Sequence, residues 1–119
     1  MTRRILFAED REDTRKVYSN ILSKQGYEVV SVENGQKAWE VYQHTGFCGL
    51  LTNIGMPVMD GVELIKKIRE DNPLFPVIAY TGDMCREDEI KNKGFRVLRL
   101  PMMIKEFMIN VNEVFGEAK

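Results

Sequence analysis

Four polar residues that could do chemistry stand at the ends of short apolar runs in this chain of 119 residues. Glu9 and Asp10 follow the apolar residues 5–8. Asn53 lies just beyond residues 47–51, and Thr81 directly follows residues 76–80. Neighbouring carboxylate and amide oxygens are ligands that Mg²⁺ prefers. An acid or base role for Glu9 or Asp10 is also open, but no nucleophile accompanies them. If the fold brings these residues together, the sequence therefore indicates a cation site that is weak or empty.

Five apolar runs must position these residues, and amphipathic stretches separate them. The runs cover residues 5–8, 27–32, 47–51, 76–80 and 95–100. Consecutive β-branched and aliphatic residues are typical of strands buried on both faces of a parallel sheet. Strands that alternate with helices predict an α/β fold with right-handed crossovers and helices on both faces. The working site of such a sheet lies beyond the carboxyl ends of its strands, where all four polar residues fall.

The predicted helices differ in the strength of their apolar stripes. The clearest stripe lies between Ile104 and Phe115, on the fifth predicted helix. The first predicted helix should bury one face, which consists of Thr14, Val17, Tyr18, Ile21 and Leu22. The fourth predicted helix, between Thr81 and Gly94, has few large apolar residues. We expect it to be short, polar and loosely held, because a small apolar face contributes little burial energy.

Composition limits the classes of function. Hydrophobic residues make up 44% of the chain and charged residues 29%, as in ordinary soluble domains. With 17 basic and 18 acidic residues, the net charge of −1 does not suggest binding to nucleic acid or to an anionic membrane. Cys48 and Cys85 lack a C-x-x-C motif, which favours a reducing cytoplasm over a secreted disulfide framework. His44, the single histidine, is expected to be a solvated surface residue.

Four segments carry a resemblance to a known family: residues 5–10 (ILFAED), 50–61 (LLTNIGMPVMDG), 76–81 (PVIAYT) and 94–101 (GFRVLRLP). In this order they resemble the first, third, fourth and fifth strands, with their following residues, of a two-component response-regulator receiver domain. The match covers essentially the whole chain, and the run MPxMDG at residues 56–61 is its most specific part. The resemblance implies a flavodoxin-like (βα)5 doubly wound parallel sheet with strand order 2-1-3-4-5, in a single domain over residues 1–119.

The resemblance also implies a role for each polar position. Glu9 and Asp10 correspond to the acidic pair that holds Mg²⁺ in the family, and Thr81 to the hydroxyl residue that contacts the phosphoryl group. The phosphoacceptor position holds Asn53, and the lysine position holds Leu100. A neutral amide cannot form an acyl phosphate, and leucine cannot donate to a phosphoryl oxygen. We therefore expect no catalysis and no phosphoryl transfer.

The two departures match in charge. An aspartate at position 53 without a lysine at position 100 would leave three carboxylates close together, which repel one another. The amide of Asn53 returns the formal charge of the pocket to about −2, the value for three acids and one lysine. This matching favours natural loss of phosphorylation. The alternative is a normal phospho-accepting receiver that carries an engineered Asp-to-Asn change at position 53.

Two further positions bear on cation binding and on switching. The amide oxygen of Asn53 and the carbonyl of Gly55 could join Glu9 and Asp10 in a metal site, but with one anionic ligand missing we expect this site to be weak or empty. The position of the aromatic switch residue on the fifth strand of many receivers holds Val97, whose side chain is too short to swing inward.

The leading interpretation is a cytoplasmic, phosphorylation-independent pseudo-receiver that acts through protein–protein interaction. A histidine kinase, a histidine phosphotransfer protein or another signalling protein would bind through the first predicted helix, or through the face formed by the fourth predicted helix, the fifth strand and the fifth helix. A homodimer remains open. The exposed edge of that face should include Arg86, Glu87, Lys91, Arg96 and Lys105. A flavodoxin-like nucleotide binder is the third class, but the anionic residues 9–13 would repel a phosphate.

Overall fold

A computed structural model describes residues 3–44, 46–82 and 94–117 of the chain. Its strands are β1 (Arg4–Ala8), β2 (Glu28–Val32), β3 (Gly49–Asn53), β4 (Val77–Thr81) and β5 (Arg96–Arg99). Its helices are α1 (Glu12–Lys24), α2 (Gly35–Tyr42), α3 (Gly61–Asp71) and a C-terminal helix (Ile104–Phe115). The fourth predicted helix lies outside the described residues, as do Arg86, Glu87 and Lys91. No helix in the described ranges is long and apolar enough to span a bilayer.

The five strands form one parallel sheet in the order β2-β1-β3-β4-β5. The predicted flavodoxin-like α/β sheet and its strand order are confirmed. The predicted bounds of β3 were wrong, because the strand runs from Gly49 to Asn53 rather than over residues 47–51. Thr52 and Asn53 continue the ladder beyond the apolar run, opposite Ala79 and Tyr80 of β4.

Each face of the sheet carries its own apolar core. Alternate strand residues point to opposite faces, so Leu6 and Ala8 of β1 lie in one core and Ile5 and Phe7 in the other. The first core includes buried residues of α2 and α3. The second core includes Leu22 of α1 and four residues of the C-terminal helix: Phe107, Met108, Val111 and Phe115. Two covered faces hold the strands rigidly, so their carboxyl ends form a fixed platform for the site.

The predicted stripe of α1 is only partly buried. Leu22 is buried, and Tyr18 and Ile21 pack against the second core. Val17, in contrast, is 54% exposed, so its predicted place on the buried face was wrong. Tyr18 meets Phe107 edge-on with ring centres 4.9 Å apart, so Tyr18 faces the C-terminal helix, whereas the preceding residue, Val17, lies in solvent.

Aromatic rings cluster at the amino-terminal end of the sheet, away from the candidate site. Trp39 of α2 stacks on Tyr42 with ring centres 5.6 Å apart, and Tyr42 meets Phe75 edge-on at 5.3 Å. The ammonium group of Lys67 lies 5.7 Å from the centre of the Trp39 ring. Trp39 is partly buried.

The loop between β3 and α3 contains a strained turn. Val58 has a φ of +70°, and the main-chain N–H of Met59 donates to the carbonyl of Pro57 over 2.8 Å. A positive φ is unfavourable for a β-branched residue, because its Cβ crowds the backbone. The side chain of Val58 is 79% exposed, so it recovers little of this cost through burial.

We predict that Val58→Asn raises the free energy of unfolding by about 1 kcal/mol, because asparagine tolerates a positive φ far better than valine. Urea denaturation would measure the change. Val17→Asn is the matched control: it makes the same exchange at an exposed helical position, where the two residues have similar propensity, and should give no gain. Equal effects of the two substitutions would rule out backbone strain at position 58.

Candidate functional site

The candidate site lies at the carboxyl ends of the central strands. Asn53 is the last residue of β3, and Thr81 is the last residue of β4. Glu9 and Asp10 directly follow β1, which pairs with β3. Parallel strands present their carboxyl ends at one edge of the sheet. The fold therefore brings together the four polar residues that the sequence singled out.

The side-chain amide of Asn53 joins the two acidic residues. Its Nδ2 donates to Oε2 of Glu9 over 3.2 Å and to Oδ1 of Asp10 over 3.4 Å. An ionised carboxylate can only accept, so the amide must turn its N–H groups toward the pair. Asn53 thus presents donors to the acidic pocket, where an aspartate would present a third set of acceptors.

Tyr80 is a site residue that sequence reasoning missed. Its hydroxyl donates a short hydrogen bond to Oε1 of Glu9, and both residues are buried. In the sequence Tyr80 looks like an ordinary packing residue of the fourth strand, and its ring does pack near Phe7 and Tyr18. Its position in the sequence, directly before Thr81, could have revealed this role. A long side chain one residue from the end of β4 can reach across the neighbouring strand β3 toward Glu9.

Burial controls the ionisation of both partners in this bond. Desolvation raises the pKa of Glu9 above the ordinary value for glutamate, although hydrogen bonds from Tyr80, Arg11 and Asn53 work against it. Burial also raises the pKa of the Tyr80 phenol, and the negative charge of Glu9 raises it further. The phenol of Tyr80 therefore keeps its proton and donates it in the hydrogen bond to Glu9.

Main-chain contacts fix Glu9 from the side of α1. The N–H of Arg11 donates to Oε2 of Glu9 over 3.0 Å, and Nη1 of Arg15 donates to the main-chain oxygen of Glu9 over 2.8 Å. The N–H of Glu9 donates to the carbonyl of Val32 at the end of β2. Glu9 is thereby held by its backbone and by both carboxylate oxygens. Asp10, in contrast, is exposed.

The remaining predicted positions lie on β4 and β5 or directly after them. Thr81 is buried at the end of β4, and its carbonyl accepts from the N–H of Leu100 over 3.3 Å. Leu100 is half-buried and packs against the core beneath α1 and the C-terminal helix, and its peptide bond to Pro101 is cis. Val97 lies within β5 opposite Ala79 and packs against the other core. The side chains of Leu100 and Val97 are therefore both packed in apolar surroundings.

Gly61 allows the loop after β3 to fold back onto the site. A Cβ at this position would lie 2.4 Å from the main-chain oxygen of Asn53 and 2.9 Å from the Cα of Ile54. The N–H of Gly61 donates to the carbonyl of Ile54 over 2.8 Å. The side chain of Asp60 caps α3 by accepting from the N–H of Glu63 over 3.0 Å. This close approach fixes the backbone of Asn53.

The residues do not fit a divalent cation in their present arrangement. A metal site needs free oxygen lone pairs, but hydrogen bonds fill three of the roughly four lone-pair positions of Glu9, and Asn53 presents nitrogen rather than the oxygen expected as a ligand. Gly55, the fourth expected ligand, is exposed on the loop. Across residues 3–44, 46–82 and 94–117, no group of three or more His, Cys, Asp or Glu residues could hold a metal ion.

Comparisons with known proteins agree with this architecture. The family described as response regulator receiver domain matches residues 5–104. The response regulator receiver protein CpdR of Brucella abortus (strain 2308) is 35% identical over 117 residues, with 90% of this chain and 98% of the relative covered. The polar-differentiation response regulator DivK of Brucella ovis is 26% identical over 123 residues, with 99% and 100% covered.

Solved structures show the same fold. The chemotaxis protein CheY4 of Vibrio cholerae superposes with a TM-score of 0.87 at 24% identity, over 96% of this chain and 99% of that one. The receiver domain of the hybrid histidine kinase CckA superposes with a TM-score of 0.79 at 30% identity, over 94% and 98% of the two chains.

We predict that Gly61→Ala lowers the free energy of unfolding by about 1–3 kcal/mol, because its Cβ would meet backbone atoms that cannot move aside. Gly55→Ala is the matched control, since a Cβ there has no neighbour within 4 Å. We expect it to change stability by less than about 0.5 kcal/mol. Urea denaturation of both variants would test this, and similar losses would show that the approach to Asn53 is not tight.

We also predict that Glu9 makes the folded chain less stable as the pH rises. Because the pKa of Glu9 is higher in the folded chain, the folded chain binds more protons between the unfolded and the folded pKa. The free energy of unfolding should then decrease as the pH rises from about 4.3 through the folded pKa. Denaturation of the wild type and of Glu9→Gln at a series of pH values would measure this slope. Parallel curves for the two proteins would contradict the prediction.

Proposed function

The chain belongs to the response regulator receiver domain family of two-component signalling, and from this premise we propose that it is a phosphorylation-independent module that acts by binding other proteins. It would serve in a two-component phosphorelay without taking a phosphoryl group itself, and it would not be an enzyme. The observation that carries the proposal is the pair of hydrogen bonds from Nδ2 of Asn53 to Glu9 and Asp10.

The chemistry of the amide supports this reading. Phosphoryl transfer to a receiver needs a carboxylate oxygen in line with the donor. The nitrogen of Asn53 has its lone pair delocalised into the carbonyl, and its N–H groups are already directed at two carboxylates. An incoming phosphoryl group would meet N–H donors backed by two acidic side chains. It would find no nucleophile at the end of β3.

The surroundings of Leu100 support the same conclusion. A lysine at this position would have to bring its ammonium group to the phosphoryl oxygens. The leucine side chain instead packs against the core that contains Tyr80, Leu98 and Phe107. The pocket therefore has two acids and an amide, a balance that is stable only while position 53 stays neutral. The missing negative charge at position 53 and the missing positive charge at position 100 offset each other in the net charge of the pocket.

Binding surfaces on the described residues fit a signalling partner. Val17 on α1 is 54% exposed, and Met103 and Ile104 before and at the start of the C-terminal helix are 71% and 59% exposed. Exposed apolar side chains on adjoining helices favour a helical partner such as a histidine kinase or a histidine phosphotransfer protein. The match to a receiver domain of a hybrid histidine kinase supports such a partner. The cytoplasm is the compartment that we propose.

The edge formed by β5 and the C-terminal helix offers a second surface. Nη1 of Arg96 donates to Asn110 over 2.7 Å and to Glu113 over 2.8 Å, so this strand and this helix are tied together at their exposed edge. Lys105 is exposed at the start of the same helix. With Val97 packed in place of a mobile aromatic residue, we propose that this face has one fixed shape. It could bind a signalling protein or a second copy of the chain.

The test compares four proteins treated with acetyl phosphate: the wild type, Asn53→Asp, Leu100→Lys and the double variant. We expect no adduct on the wild type or on Leu100→Lys. The double variant should be modified at least about 100-fold faster than Asn53→Asp, because the lysine restores one electrostatic contact to the transferred group. Intact-mass spectrometry would measure the adduct and its rate.

Two outcomes would contradict the proposal. An adduct at position 53 of the wild type would show that the amide does not block phosphorylation. Rapid modification of Asn53→Asp without Leu100→Lys would favour the alternative, a working receiver in which only the acceptor was changed. Leu100→Lys alone serves as the control for unspecific phosphorylation, since it restores the cation without the nucleophile.

A further inference from the structure

Glu9 accepts an unusual set of donors for a residue of an acidic pocket. The Tyr80 hydroxyl donates to Oε1, while Nδ2 of Asn53 and the N–H of Arg11 donate to Oε2 over 3.2 and 3.0 Å. A carboxylate offers about four lone-pair positions in all. Three of them are therefore filled from within the chain, on a side chain that is only 1% exposed. Glu9 is satisfied without any cation.

The packing of Tyr80 fixes its hydroxyl at this place. Its ring centre lies 6.4 Å from the ring centres of both Phe7 and Tyr18, and the residue is 4% exposed. Its carbonyl accepts from the N–H of Ile54 over 3.0 Å, directly after the strand that carries Asn53. The ring belongs to the core beneath α1 and the C-terminal helix, and only its hydroxyl reaches the pocket. The phenol cannot swing away without opening that core.

We propose that Tyr80 is a positioning residue that closes the acidic pocket to divalent cations by occupying Glu9. The hydroxyl fills one of the two lone-pair positions of Oε1, and a cation that took this position would leave a buried donor without a partner, which is unfavourable. The hydroxyl supplies the positive end of a dipole where a cation would supply its full charge. The inference rests on the proposed function, because a module that is not phosphorylated does not need a metal to hold phosphoryl oxygens.

This role separates the effect of Tyr80 from that of Asn53. Restoring an acid at position 53 adds an anionic ligand but leaves Oε1 of Glu9 occupied. Removing the hydroxyl frees Oε1 but leaves an amide that directs its N–H groups into the pocket. Neither change alone should create a strong metal site, whereas the two together should. The expected pattern is therefore a gain in cation affinity that exceeds the sum of the two single effects.

The experiment measures Mg²⁺ affinity by isothermal titration calorimetry for the wild type, Tyr80→Phe, Asn53→Asp and Asn53→Asp/Tyr80→Phe. Binding that leaves a buried donor such as the Tyr80 hydroxyl without a partner is weakened about 10- to 100-fold. Because the double variant has no such donor, we expect it to bind at least about 10-fold more tightly than Asn53→Asp. The matched control is Asn53→Asp/Tyr18→Phe, which removes a hydroxyl from the ring packed against Tyr80 and should bind like Asn53→Asp.

Equal affinities of Asn53→Asp and the double variant would overturn the inference, as would Mg²⁺ binding by the wild type with the affinity of the double variant. A measurement on the unaltered protein guards against misfolding of the variants: the hydroxyl proton of Tyr80 should give a slowly exchanging NMR signal that millimolar Mg²⁺ leaves in place. Loss of this signal on addition of Mg²⁺ would also contradict the role of Tyr80. The proposed function fails separately, through a phosphoryl adduct on the wild type.

Discussion

The hydrogen bonding of one buried carboxylate, Glu9, is the constraint on which the strand-end site depends. A carboxylate removed from water must be matched by donors, or its burial would cost more than the surrounding contacts return. Its donors come from three separate segments: the end of β3, the end of β4 and the residue directly before α1. The strand register brings these segments together, so the site exists only when the sheet is correctly folded.

Asparagine and aspartate have nearly the same shape, and this explains how the domain keeps a receiver fold without receiver chemistry. Exchanging one oxygen for an NH₂ group reverses the sign of the interaction with Glu9 and Asp10, from repulsion to hydrogen bonding. Nothing in the backbone has to move for this. The outer helices and the strand edges, where partners bind under the proposed function, are unaffected by the exchange.

Much of the fold and of the site can be predicted from the sequence, for a physical reason. Strands buried on both faces leave continuous apolar runs, and the polar residue that ends each run marks the edge where Glu9, Asp10, Asn53 and Thr81 meet. The end of β3 was misjudged because Thr52 and Asn53 are polar but still pair with β4. Tyr80 was not recognised because a tyrosine in a buried strand has the same appearance whether its hydroxyl is idle or bonded, and only the register reveals its reach.

The stacked pair Trp39 and Tyr42 has a practical consequence for spectroscopy. Trp39 is the one tryptophan of the chain, and it lies on α2 near the amino-terminal end of the sheet, beside the ammonium group of Lys67. Its emission will report on the stack with Tyr42 and on the packing of α2 against α3, where the ring lies. An optical assay of ligand capture at the strand ends therefore calls for a second reporter beside Glu9 or Asn53, while the native indole monitors global unfolding.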